Sequence, residues 1–161
     1  MTNEIKFEFV SRLKAETSNE GVMFKLPEKG SKKAAGYDFY SAEDVVINPF
    51  KSPEDIVYVK TGVKALFPDD VALLLLNRSS NPKKKGLFLA NGVGLVDADY
   101  YNNSANEGEI AFAFMNMTTA PIEIKINDKL GQGMFVSYKD LTNYSDKDVA
   151  ERTGGFGSSD E

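Results

Sequence analysis

Apolar residues in this chain arrive in short runs, at 5–10, 22–26, 45–47, 56–59, 71–76, 87–90, 110–115, 122–126 and 134–138, each closed by turn-forming residues. Runs of that length fit strands, whereas a helix shows a stripe recurring every three or four residues over a longer stretch. Ile122, Ile124 and Ile126 alternate with Glu123 and Lys125, which predicts a strand with one wet face. Residues 71–76 are apolar throughout and read as a strand buried on both faces. Pro49, Pro53, Pro68, Pro82 and Pro121 lie between the runs, where a missing backbone donor does least harm. No internal repeat, heptad or long amphipathic helix is visible; Asn81 and Pro82, followed by Lys83, Lys84, Lys85 and Gly86, predict a single helical turn. The expectation is an all-β sandwich or barrel with one short helix.

A chain of 161 residues fits one domain with a real core. It contains no cysteine, which excludes disulfides, thiolate nucleophiles and cysteine zinc sites. It contains no histidine either, which removes Ser-His-Asp catalysis and imidazole ligation, so a general base is expected to be Asp or Glu. The net charge of −5 argues against a nucleic-acid binder that works by neutralising phosphates. No stretch approaches the roughly 20 apolar residues of a membrane span, and the first residues lack the order of a secretion signal, so a soluble intracellular protein is expected. Beyond about Asp140 the composition turns polar and glycine-rich, dividing the chain into a β domain at 1–139 and a flexible arm at 140–161 that would order only over a ligand or a neighbouring subunit.

Chemistry is expected in the segment from Asn91 to Tyr100. Gly92 and Gly94 permit close backbone approach, and Val93 and Leu95 share a face with Asp97 in an extended chain, putting a carboxylate at an apolar margin. The plain alternative is a hairpin turn. Arg78, Ser79 and Ser80 before the helix start outline an anion site of guanidinium, hydroxyls and backbone donors, although the same residues describe an ordinary capped turn. The lysines at 83–85 read as a solvated face. Asp38 stands between Tyr37 and Phe39, and Gln132 ends the stretch from Asp128; each alone reads as a turn.

These segments occur in one order, and with Ala34, Ala35, Gly36, Ser41 and Ala42, and the run Gly154, Gly155, Phe156, Gly157, Ser158, Ser159, the chain resembles the homotrimeric dUTP diphosphatases, in particular a subgroup of Gram-positive bacterial and phage enzymes. The resemblance spans nearly the whole chain and implies a distorted jelly roll with a C-terminal arm that closes the active site. It implies hydrolysis of dUTP to dUMP and pyrophosphate with Mg2+, in the cytoplasm of a bacterium or infected host cell. Asp97 would be the base that activates water for attack on the α-phosphorus. Asn91 and the backbone of Gly94, Leu95 and Val96, in a β-hairpin, would read uracil, and Tyr100 would pack on the deoxyribose. Arg78, Ser79, Ser80 and Gln132 would contact phosphates from a second subunit. Arg152, Phe156, Gly157, Ser158 and Ser159 of a third subunit's arm would close the site. Asp38 would hold magnesium-bound water, the ion itself resting mainly on the substrate phosphates.

Four departures from the family pattern stand out. Lys129 replaces the usual arginine and weakens an intersubunit bidentate contact; the connection at 101–108 is longer; Arg152 lies one residue closer to the glycine-rich run; and Asp160 and Glu161 follow the phosphate-contacting serines. The alternatives are a dCTP deaminase of related fold and a nucleotide-bound trimer acting as a regulatory module. The sequence leaves a regulatory protein partner open.

Overall fold

The strand-like runs become strands by pairing with sequence-distant partners. In the computed structural model, which describes residues 3–16 and 22–141, the strands are β1 (Lys6–Phe9), β2 (Glu28–Lys29), β3 (Tyr37–Tyr40), β4 (Val45–Ile47), β5 (Val57–Lys60), β6 (Val63–Leu66), β7 (Val71–Asn77), β8 (Leu87–Leu89), β9 (Gly94–Val96), β10 (Ala111–Asn116), β11 (Ile122–Ile124) and β12 (Lys129–Ser137). A five-stranded antiparallel sheet has the order β2-β3-β12-β7-β9, and a three-stranded one the order β5-β10-β8; β1 pairs with β6 and β11 with β4. Phe39, Ile47, Leu73, Phe112, Phe114, Ile124 and Leu130 belong to a single buried cluster. Each such side chain contributes roughly 1.5–3 kcal/mol by leaving water.

The expected all-β class holds, and so does the helical turn: Asn81–Lys85 forms one wide turn closed by Gly86 in the left-handed region, with Lys83, Lys84 and Lys85 exposed. Asn81 ties it down from inside, donating to Asn77 Oδ1 at 2.8 Å and to the Leu130 carbonyl at 2.7 Å. Residues 22–26 do not form the expected strand. Val22, Met23 and Leu26 are exposed, and no described strand pairs with them. The stretch at 129–132, read as a turn, is instead the first part of the nine-residue β12. Its glycines disguise it: a Cβ at Gly131 would lie 2.1 Å from Phe112 Cε1, so the residue is small because the core presses on the strand there. Strands β3 and β6 and the helix α1 (Ser11–Glu16) were not expected from the runs.

Strand β7, expected to be buried on both faces over 71–76, buries one face of that run fully and the other only at Ala72. Leu73 and Leu75 point into the core, whereas Leu74 and Leu76 are half-exposed. Beside them Met134 is also half-exposed, and Leu95, opposite Leu74 on β9, is 64% exposed. Among the described residues no helix is long and apolar enough to cross a membrane. The arm, with Arg152, Phe156, Gly157, Ser158 and Ser159, lies outside the described residues.

Candidate active site

The segment from Asn91 to Tyr100 is a turn, the short strand β9 and a helical turn at Ala98–Tyr100, and the strand before it, β8, bonds away from β9. Strand β8 pairs with β10 and β9 pairs with β7, so the segment is an open arch, in place of the self-paired hairpin implied by the resemblance. At Gly94 a Cβ would meet Leu75 Cβ at 3.0 Å and Asn91 Nδ2 at 3.4 Å; glycine lets the Asn91 amide lie against the β9 backbone. Val93 and Leu95 are exposed, while Gly94 and Val96 are buried. The alternation therefore turns Val93, Leu95 and the partly exposed Asp97 outward, in the order the spacing predicted.

Asp97 precedes the short helical turn Ala98–Tyr100 and lines a cavity of about 260 Å³ with Asp69, Ala98, Asp99 and Tyr138. The Tyr138 hydroxyl donates to the Asp69 carbonyl. Burial, and then the charges of Asp140, Asp97, Asp69 and Asp70, push its phenol above its ordinary value of 10.0. Sequence reading missed Asp69 and Tyr138. Their only signal was an acidic pair after Pro68, which describes any turn. Tyr100 is buried, with its hydroxyl donating to the Glu109 carbonyl at 2.9 Å.

Arg78, Ser79 and Ser80 leave the other end of β7 and enter the Asn81–Lys85 turn. Gln132 pairs with Leu76 on one side and with Asp38 on the other, so it shares the outer sheet face with them. Lys129 Nζ lies 2.6 Å from Asp38 Oδ2. The ammonium that stands where arginine is usual thus forms an ion pair within its own chain. Tyr40 joins the group: burial first, then its hydrogen bond to Glu28, drive its phenol far above the ordinary value, while the charge of Arg78 pulls the other way.

The two halves do not meet in one chain. Val96 pairs with Leu73, so Asp97 sits level with Ala72, six residues along β7 from Arg78. At the rise of an extended strand this is about 20 Å.

Among the described residues no group of three acidic, histidine or cysteine side chains is placed to hold a metal ion. Asp38, with its charge offset by Lys129, suits a contact through water better than direct ligation. This donor set fits a Mg2+ that arrives on a polyphosphate and keeps much of its own hydration, and does not fit a protein cage.

The chain belongs to the dUTPase family, whose model matches residues 23–160. It is 38% identical over 152 residues to the deoxyuridine 5'-triphosphate nucleotidohydrolase of Lactococcus lactis, covering 94% of this chain and 95% of that protein. The crystal structure of the Streptococcus mutans dUTPase superposes with a TM-score of 0.74 at 36% identity, over 85% of this chain and 98% of that one. A variant of the staphylococcal bacteriophage 80alpha dUTPase with dUpNHpp shares the fold, with a TM-score of 0.66 at 21% identity, over 98% of this chain and 99% of that one.

Proposed function

We propose that this chain hydrolyses dUTP to dUMP and pyrophosphate in a homotrimer whose active sites are divided among the subunits. The observation that carries the division is the length of β7. A phosphate attacked beside Asp97 cannot also rest on Arg78 of the same chain, about 20 Å away, so the phosphate-binding turn of a second copy has to supply it. The apolar outer face at Leu74, Leu76, Leu95 and Met134 supports the same reading, because its burial favours a partner of the same shape.

On this reading uracil enters the open arch and pairs with backbone groups of Gly94, Leu95 and Val96 that do not face β7, with Asn91 completing the contact. Cytosine presents donors and acceptors in exchanged positions, and fixed hydrogen-bonding sites discriminate by as much as about 10⁴ to 10⁵ when they are left unpaired. Tyr100 packs on the deoxyribose. Asp97 takes a proton from a water as its oxygen bonds to the α-phosphorus; the bond from that phosphorus to the bridging oxygen breaks, and pyrophosphate leaves. The absence of histidine and cysteine is no obstacle to this step. Arg78, Ser79, Ser80 and Gln132 of a second subunit hold the phosphates in line. Arg152, Phe156, Gly157, Ser158 and Ser159 of a third subunit's arm cover the base and the outer phosphates. Mg2+, which the family uses, supplies charge neutralisation on the triphosphate when bound, with Asp38 holding one of its waters. Acting in the cytoplasm, the enzyme keeps uracil out of DNA and furnishes dUMP for dTMP synthesis.

Pyrophosphate release measured with dUTP, dTTP, dCTP and UTP, with Mg2+ and with EDTA, tests the proposal. Strong preference for dUTP that collapses in EDTA is expected. Equal turnover of the four nucleotides overturns the base and sugar reading, and no turnover of dUTP overturns the activity.

A further inference from the structure

The loop at 101–108 holds Tyr100 at both ends. Asn103 Nδ2 donates to the Tyr100 main-chain carbonyl at 3.0 Å, and Asn106 Nδ2 donates to its phenol oxygen at 2.7 Å. Both amide orientations are fixed by neighbouring donors. Asn103 Oδ1 accepts from the N–H groups of Ala105 and Asn106, and Asn106 Oδ1 accepts from Gly108 N–H and Asn103 Nδ2, which leaves each nitrogen facing the tyrosine. Asn103 is buried. The loop is itself anchored: Glu107 accepts from Ser11 N–H at 3.1 Å and from Ser11 Oγ at 2.8 Å, and Lys64 Nζ donates to Asn102 Oδ1.

We propose that Asn106, braced by Asn103, is a positioning residue that fixes the Tyr100 ring and thereby sets discrimination against a ribose 2′-hydroxyl; the inference rests on the reading of Tyr100 as the surface that packs on the sugar. The Tyr100 hydroxyl donates to the Glu109 carbonyl and its oxygen accepts from Asn106, so two hydrogen bonds of opposite sense clamp the far end of the ring. Removing one lets the ring tilt. Exclusion of a single oxygen atom depends on displacements well below 1 Å, the scale on which misplacement of a binding group is felt in catalysis. The lengthened connection thus belongs to the sugar pocket, from behind.

Asn106→Asp tests this, because it keeps the shape and the acceptor for Gly108 and Asn103 while deleting the donor to the phenol. The kcat/KM values for dUTP and UTP should show the dUTP preference falling about tenfold, mainly through a gain with UTP, in a trimer of unchanged size. Tyr100→Phe deletes the same bond from the other side together with the bond to the Glu109 carbonyl, so it should lower the preference at least as much, and the double variant should lose no more than Tyr100→Phe alone. An unchanged preference in Asn106→Asp, or in Tyr100→Phe should the first variant not fold, overturns the inference. Tyr100→Leu separates the underlying reading: if ring removal also leaves the preference intact, Tyr100 does not face the sugar at all. If the preference falls with Tyr100→Leu alone, only the role of Asn106 is lost.

Discussion

Two inactive variants should repair each other. Asp97→Asn removes the proposed base at one end of β7, and Arg78→Ala removes the phosphate anchor at the other, about 20 Å away along the strand. Each alone should be nearly inert as a homotrimer. Co-expressed with different tags and purified on both tags in turn, they yield only mixed trimers. Around a ring of three subunits of two kinds, one junction in each sense always joins an unlike pair. One such junction brings an intact Asp97 against an intact Arg78, so a mixed trimer has one complete site of its three, whichever variant is in the majority. Pyrophosphate release per trimer should therefore recover to about one third of the unsubstituted enzyme, with KM for dUTP unchanged because the surviving site is whole. Activity no higher than the parents, in trimers shown to contain both tags, would mean that base and anchor act within one chain and would refute the argument from strand length.

Asp97→Asn by itself should lower kcat by about 10² to 10⁴, the usual contribution of a general base, while titration calorimetry still detects dUTP binding; unchanged turnover would assign the base elsewhere. Gly131→Ala forces a methyl to within 2.1 Å of Phe112 Cε1 and 2.8 Å of the Leu76 carbonyl. It should cost about 1–3 kcal/mol by overpacking, read as a lowered midpoint in thermal unfolding. Hydrogen bonds from the Ser11 side chain and backbone hold the Glu107 carboxyl below its ordinary value of 4.5. A depressed acid stabilises above the unfolded value, and that contribution is lost as pH falls through the folded one. Hydrogen exchange should show the loop at 101–108 losing protection under acid, with Glu107→Gln flattening the dependence.

Short apolar runs marked β1, β4, β5, β7, β8, β10 and β11 because a half-buried strand imposes its period on side chains whatever its partner is. Strand β12 was half hidden, since Gly131 and Gly133 read as turn residues until the phenylalanines packed on them are seen. The run at 22–26 erred in the opposite sense: apolar composition permits a strand, but a strand also needs a partner edge, and pairing is a property of the whole chain. At the candidate site, the outward placement of Asp97 beside Val93 and Leu95 was legible from the alternation of the segment before it. The separation of Asp97 from Arg78 was not, because sequence distance says nothing of which end of a shared strand two turns leave. Nor was the bracing of Tyr100 by Asn103 and Asn106, since asparagines in a loop look alike until their amides are seen to bond.

On the proposed division of the site, strand β7 acts as a spacer that keeps its two halves out of each other's reach in an isolated chain. Dilution then becomes a switch on catalysis. On that proposal, a chain parted from its neighbours would keep its arch and its anion turn but have no complete centre. A cell carrying one damaged copy of the gene would likewise lose activity in trimers containing healthy subunits, and the two ends of β7 would accumulate substitutions under a constraint exerted by the neighbour.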